Sequence, residues 1–273
     1  MKFIILPIIL ALSACSLTQP LVKPDLPVPA AFPAASGSES GTRAADLGWR
    51  AMFGDPRLQR LIELALANNR DLRLAALSVE AAQAQYGIQR SEQLPKIDGM
   101  AGAARQRTPA ATQTHYSANV ALSAFEIDLF GRMQALSDAA FARYLASEQG
   151  RRAAQISLVG AVADAYFAER LADEQKQLAV RTLADWRQSL DLARLLKAGH
   201  QSSGLEVAQA EGQVASAEAD LEARVRALAQ AGNALRLLIG AEPPADLPAP
   251  LPLAAQPVAT RLPAGLPSDL LLR

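Results

Sequence analysis

Residues 132–198, RMQALSDAAFARYLASEQGRRAAQISLVGAVADAYFAERLADEQKQLAVRTLADWRQSLDLARLLKA, decide how the rest of the chain is read. The stretch has no proline and two glycines, Gly150 and Gly160. It is rich in Ala, Leu, Gln, Arg and Glu, the residues that lose least on entering a helix. This predicts one unbroken helix, which at 1.5 Å per residue would reach about 100 Å. Its pattern is coiled-coil-like: Val159, Val162 and Tyr166 are spaced 3 and 4, as are Leu183, Trp186 and Leu190. Ala153, Ala154, Ala161, Ala163, Ala165 and Ala168 let neighbouring helices approach closely. Such a rod is unstable alone in water and must pack sideways along its length.

Working outward, proline is absent from Pro109 to Pro243. Gly199-His200-Gln201-Ser202-Ser203-Gly204 reads as a turn. A further helix is predicted from about Ser203 to Ile239, with Gly240 as a left-handed stop before Pro243. Upstream, Asp55-Pro56 reads as an N-cap with proline at the first helical position. Leu58, Leu61, Ile62 and Ala65 then line one face. Asn68-Asn69 interrupts that helix. A second runs to about Gln93, with Leu72, Ala75, Ala76, Val79, Ala82 and Tyr86 recurring every three or four residues. Leu94-Pro95 ends it. The lengths predict a long helix flanked by two shorter ones that run the other way and meet end to end.

Between these helices the period changes to two. Tyr116, Ala118, Val120, Leu122 and Ala124 fall on one face of a strand; Ser117, Asn119, Ala121 and Ser123 fall on the other. Residues 96–106 form a weaker partner strand and 107–112 the connecting loop. Strands of this length cross the apolar band of an outer membrane when tilted. A soluble hairpin with its apolar face on a core fits the alternation equally well.

At the N-terminus an apolar run, residues 3–12, follows Lys2 and leads into Leu12-Ser13-Ala14-Cys15. This resembles a bacterial lipobox, in which the cysteine receives a diacylglyceryl group and becomes the new N-terminus. The apolar run is too short to span a bilayer. Ser16 rather than Asp follows, which by resemblance to sorted lipoproteins favours the outer membrane. The alternatives are an ordinary secretory signal or a buried free thiol. Residues 20–33 are proline-rich and read as an extended tether.

The charge balance, 27 Lys+Arg against 27 Asp+Glu, gives no electrostatic footprint for nucleic acid. One cysteine excludes an intramolecular disulfide. His115 and His200 stand apart and read as solvated or loop residues, so no metal or other cofactor is expected beyond a covalent lipid on Cys15. Phosphate-loop, zincin, nucleophile-elbow and dinucleotide motifs are missing, and no enzyme activity is expected. Glu126 and Asp128 fit a role at the helix entry better than acid–base work. Trp49 and Trp186 read as packing anchors. Glu169-Arg170, Asp173-Glu174 and Arg151-Arg152 read as solvated helix surface.

With helices and hairpin in this order, the chain resembles the TolC-like outer-membrane factor family, and within it the lipoprotein branch of NodT or OprM type. The matching stretches are Asp46-Leu47-Gly48-Trp49-Arg50, Asp55-Pro56-Arg57-Leu58-Gln59, Asn68-Asn69-Arg70-Asp71-Leu72-Arg73, Gln89-Arg90 through Leu94-Pro95, and Glu126-Ile127-Asp128-Leu129-Phe130-Gly131-Arg132. Asn233-Ala234-Leu235 with Leu237-Leu238-Ile239-Gly240 resembles the end of the family's first helical repeat, and residues 262–271 the lead-in to its second. The resemblance implies a mainly α fold with a β-hairpin, half of a TolC-like fold. It implies a trimer sharing one outer-membrane barrel, with helices forming a periplasmic tunnel. It also implies a role as the channel of a tripartite efflux system for drugs or other toxic compounds. The partners implied are a periplasmic adaptor and an inner-membrane RND-type pump, which supplies the energy.

On this reading the chain divides into a signal peptide (1–14), an acylated Pro/Ser-rich tether (15–48), first short helices (49–95), the membrane hairpin (96–128), a long periplasmic helical hairpin (129–240) and a Pro-rich linker (241–273). Gly199, Ser202, Ser203 and Gly204 fall where the family docks its adaptor, in a turn slightly longer than the family's. The family carries two tandem repeats, and one is found here. A truncated form is expected, with assembly of six copies as the alternative, because an open barrel exposes unpaired backbone to lipid. Three other classes compete. A periplasmic adaptor needs Gly-rich β half-motifs around its helical hairpin, which are missing. A structural coiled-coil lipoprotein has no need of period-two residues at 116–124. A lipoprotein hydrolase lacks a nucleophile–base constellation.

Overall fold

The computed structural model describes Val22, residues 47–109 and residues 111–258. Cys15, the segment before it, nearly all of the tether and residues 259–273 lie outside the described residues. The elements, in order, are α1 (Trp49–Met52), α2 (Pro56–Asn68), α3 (Arg70–Ser91), β1 (Lys96–Arg107), β2 (Thr112–Ala124), α4 (Arg132–Ala198) and α5 (Gly204–Ile239), with a 3-10 turn at Leu253–Ala255. The proline-free stretch is one continuous helix of 67 residues. Two compact units divide the described chain: Leu74–Arg152, and residues 47–73 with 153–258.

The second unit holds the main core. Leu58, Leu61, Ile62 and Ala65 of α2 pack with Leu158, Val159, Val162, Ala163 and Tyr166 of α4 and with Leu235 and Ile239 of α5. The α2 face read from its spacing is thus its buried face. Asp55 begins that helix and does two jobs. One carboxylate oxygen accepts from the Arg57 backbone N–H at 2.8 Å. The other accepts from the Tyr166 hydroxyl at 2.6 Å, with both residues buried. The cap of one helix is therefore bonded to the middle of another.

The short helices meet where α5 ends. Asn69 donates from its side-chain amide to the Leu238 carbonyl (2.8 Å) and accepts from Leu72 N–H (2.9 Å), so it caps α3 while holding α5. Gly240 closes α5 at φ 73°, and a Cβ there would lie 2.6 Å from the Asn68 carbonyl oxygen. Both the left-handed backbone and the close approach require glycine.

Helices α4 and α5 run antiparallel, cross-linked by Arg187–Glu218 and Arg194–Glu211, both at 2.8 Å, and by Arg224–Gln175 at 3.1 Å. Exposed pairs of this kind add little stability, but they agree with a single register. Along α4, Ala172, Ala179, Leu183 and Leu190 form a buried seam. Trp186, expected as an anchor within it, is 38% exposed. Trp49 packs against the main core.

Residues 241–258, read as the start of a linker, return to the helices. Arg57 donates to the Pro248 carbonyl (2.9 Å), Gly54 N–H to the Pro257 carbonyl (2.8 Å), and Phe53 bridges to Val258. Glu174 accepts from Leu253 N–H at 2.8 Å, and Arg170, with its side chain 13% exposed, pairs with Asp173 at 3.3 Å. These charges do not form the free solvated face expected of them; Glu174 holds the returning segment.

In the first unit, α3 and α4 touch through Tyr86 and Phe141, whose ring centroids are 5.2 Å apart. On α3, Ala75, Ala76, Val79, Ala82 and Tyr86 are half-buried, as their spacing predicts, while Leu77, Ala81, Ala84 and Ile88 on another face are exposed.

Burial first, and then the bond to Asp55, pushes the Tyr166 phenol above its usual value of 10. The fold therefore favours the protonated phenol. Its contribution is complete below pH about 10 and is lost as pH rises from there through the folded value. Tyr166→Phe should cost about 1–3 kcal/mol at neutral pH, because a buried carboxylate loses a donor. It should also remove part of the alkaline fall in stability. Urea unfolding followed by circular dichroism at neutral and alkaline pH checks both; an unchanged alkaline slope contradicts the account.

Candidate functional site: a membrane hairpin and a helical tip

Strands β1 and β2 pair antiparallel from Lys96↔Ala124 to Arg107↔Thr112, with a register shift between Lys96 and Ile97. The Thr108 N–H donates to the Ala111 carbonyl (2.9 Å) and closes the turn. The strands extend beyond the alternation visible in sequence, because Gln113, Thr114 and His115 also pair.

Residues directly opposite share a face. One face therefore carries Ile97/Leu122, Gly99/Val120, Ala101/Ala118 and Ala103/Tyr116; the other carries Met100/Asn119, Gly102/Ser117, Ala104/His115 and Gln106/Gln113. The apolar face is not covered: Ile97, Tyr116, Val120 and Leu122 are all more than 60% exposed. Of the two readings left open by sequence, a hairpin packed on a soluble core does not describe this arrangement. Beyond each other, neither strand has a strand neighbour among the described residues. A two-faced hairpin with two open edges is the unit from which a membrane barrel is built.

The passage from strand to helix is fixed by the acids singled out in the sequence. Asp128 accepts from the Gln134 backbone N–H at 3.0 Å, satisfying the first turn of α4. Glu126 pairs with Arg132, which raises the arginine's pKa through that hydrogen bond first. Gly131, at φ 75°, makes the bend between them. This is a helix-entry role.

At the other end of α4, Gly199 N–H bonds the Leu195 carbonyl, His200 N–H that of Lys197 (3.0 Å) and Gln201 N–H that of Leu196 (2.9 Å). That is a Schellman closure, and its left-handed position belongs to His200 at φ 57°, not to a glycine. Gly199 and Gly204 both leave ordinary room for a Cβ. Ser203 caps α5 by accepting from Glu206 N–H (3.3 Å), and the Ser202 hydroxyl bonds the Glu206 carboxylate. Leu192, Leu195 and Leu205 stand exposed around this turn.

Among the described residues, no three His, Cys, Asp or Glu side chains gather as metal ligands. No described helix is long and apolar enough to cross a membrane.

An exposed amphipathic hairpin that leads into a 67-residue helix, itself followed by an antiparallel partner helix, defines a TolC-like outer-membrane protein. The sequence profile of the family described as outer membrane efflux protein matches residues 61–241, and the chain belongs to that family. It is 42% identical over 274 residues to the toluene efflux pump outer membrane protein TtgC of Pseudomonas putida, covering 96% of this chain and 56% of that protein. It is 36% identical over 278 residues to outer membrane protein OprJ of Pseudomonas aeruginosa, covering 97% and 57%. The open state of the Neisseria gonorrhoeae MtrE outer membrane channel superposes with a TM-score of 0.78 at 39% identity, over 94% of this chain and 58% of that one. The chain thus spans a little over half the length of the curated relatives it matches.

If the apolar face meets lipid, charge is costly on that face and tolerated on the other. Ala118→Arg, near mid-band, should destabilise the inserted protein by about 2–4 kcal/mol, and Asn119→Arg by far less. The yield of folded protein in outer-membrane fractions checks this; equal losses contradict it.

Proposed function

We propose that the chain is a channel component of a tripartite efflux system that carries drugs, solvents or other toxic compounds across the outer membrane. The observation that carries the reading is the two-faced hairpin joined through Asp128 and Gly131 to a 67-residue helix. The hairpin suits a barrel wall, and the long helices suit a duct. The relatives' names, which include toluene efflux, support the substrate class. The chain carries no nucleotide-binding or proton-relay motif, so the driving energy comes from an inner-membrane pump. Neither catalysis nor a cofactor is part of this reading.

The assembly is a homo-oligomer, a trimer in the family's pattern. Two features support this: open strand edges, and apolar residues exposed on the helices, including Leu171, Leu178 and Leu192 of α4. A periplasmic adaptor docks at the tip formed by Gly199, Ser202, Ser203 and Gly204, where exposed leucines flank a tightly closed turn. Deleting the gene from its bacterium should lower resistance to exported compounds several-fold. A photoreactive residue at position 201 should capture the adaptor in cells, and a photoreactive residue at position 222 should not. Unchanged resistance and equal capture at both positions contradict the proposal.

Cys15 carries the lipid anchor, a reading supported by Leu12-Ser13-Ala14-Cys15 behind a short apolar run. Mass spectrometry of the mature protein should find Cys15 at the N-terminus with a diacylglyceryl group and an amide-linked acyl chain. An uncleaved or unmodified N-terminus contradicts it.

A further inference from the structure

The apolar face of the hairpin ends in two arginines. After Ala103/Tyr116, the next pairs on that face are Arg105/Thr114 and Arg107/Thr112. The arginines therefore do not face the polar side with His115 and Gln113. Both are exposed, and neither has a hydrogen bond or ion pair among the described residues. The one acid in the paired strands, Asp98, lies near the opposite end and on the opposite face.

Height along the strand explains how the membrane tolerates them. Arg105 is eight residues beyond Ile97. At about 3.4 Å per residue and a tilt of 35–45°, it stands roughly 20 Å above Ile97, and Arg107 roughly 25 Å. The apolar band of such barrels is about 25 Å tall. With the helices on the periplasmic side, both guanidiniums reach the outer headgroup layer, their stems lying along the apolar face. Tyr116 sits one pair below, at the depth where aromatic rings mark the interface. The two arginines are about 7 Å apart along the strand. Each presents a planar fork that matches phosphate.

We propose that Arg105 and Arg107 form a docking site for the phosphorylated headgroup of an outer-leaflet glycolipid. Thr112 and Thr114, directly opposite, add hydroxyl donors. The site holds the barrel wall at a fixed depth and recruits a layer of anionic lipid around it. This inference rests on reading the hairpin as a membrane strand pair.

The test uses the full chain extracted from outer membranes, with bisphosphorylated lipid A as the probe and native mass spectrometry counting bound lipid. R105Q/R107Q should weaken retention by about tenfold or more, and dephosphorylated lipid A should bind the unaltered protein as weakly. R105K/R107K should retain part of the binding. Equal retention by R105Q/R107Q overturns the proposal. So does loss of oligomer mass without loss of lipid, which would mean that the arginines pair with acids of a neighbouring strand. Pro109→Cys, labelled on intact cells by an impermeant maleimide, separates the two levels. Label with unchanged lipid binding removes only this inference, and absence of label removes the membrane reading as well.

Discussion

A helix of 67 residues has no core of its own, and everything that fixes it lies along its sides. In α4 one side is supplied within the chain. The seam of Ala172, Ala179, Leu183 and Leu190 is buried, and Tyr166 is bonded to the cap of α2. Another side is not supplied among the described residues: Leu171, Leu178 and Leu192 repeat at heptad multiples and remain exposed. Two apolar seams on one rod require a neighbour on each. The same demand recurs on α3 at Leu77 and Ile88, and in the hairpin at both strand edges. These surfaces share one physical need, lateral company, and the closed ring of the proposed oligomer would meet it.

The joints between these rods are polar, and at Asp55 and Asn69 they are buried. Asp55 with Tyr166 ties α2 to α4, Asn69 ties the α2–α3 junction to α5, and Asp128 starts α4 beneath the hairpin. Each satisfies helix-end groups that would otherwise be orphaned. Apolar seams slide easily along a heptad repeat, whereas a hydrogen bond between two named atoms does not. The joints therefore fix register where the seams supply cohesion.

Much of this was legible in the sequence wherever periodicity carries the information. The proline-free run gave the long helix, the spacing of Leu58, Leu61, Ile62 and Ala65 gave the buried face of α2, and the alternation at 116–122 gave a two-faced strand. Contacts set by tertiary packing left no such trace. Asp55 and Tyr166 are 111 positions apart. Residues 241–258 carry the composition of a linker yet are held by single bonds from Arg57 and Glu174. At the tip the sequence marks a turn but not its geometry: His200 takes the left-handed conformation, and both flanking glycines leave room for a side chain. The hairpin's arginines were hidden for another reason: β1 is small and weakly patterned, and only pairing with β2 reveals which face they share.

The most direct measurement is the mass of the intact, detergent-extracted protein in solution, by light scattering corrected for bound detergent. The account predicts a discrete assembly of several chains, because the exposed seams and strand edges must be covered. A stable, monodisperse single chain would contradict it.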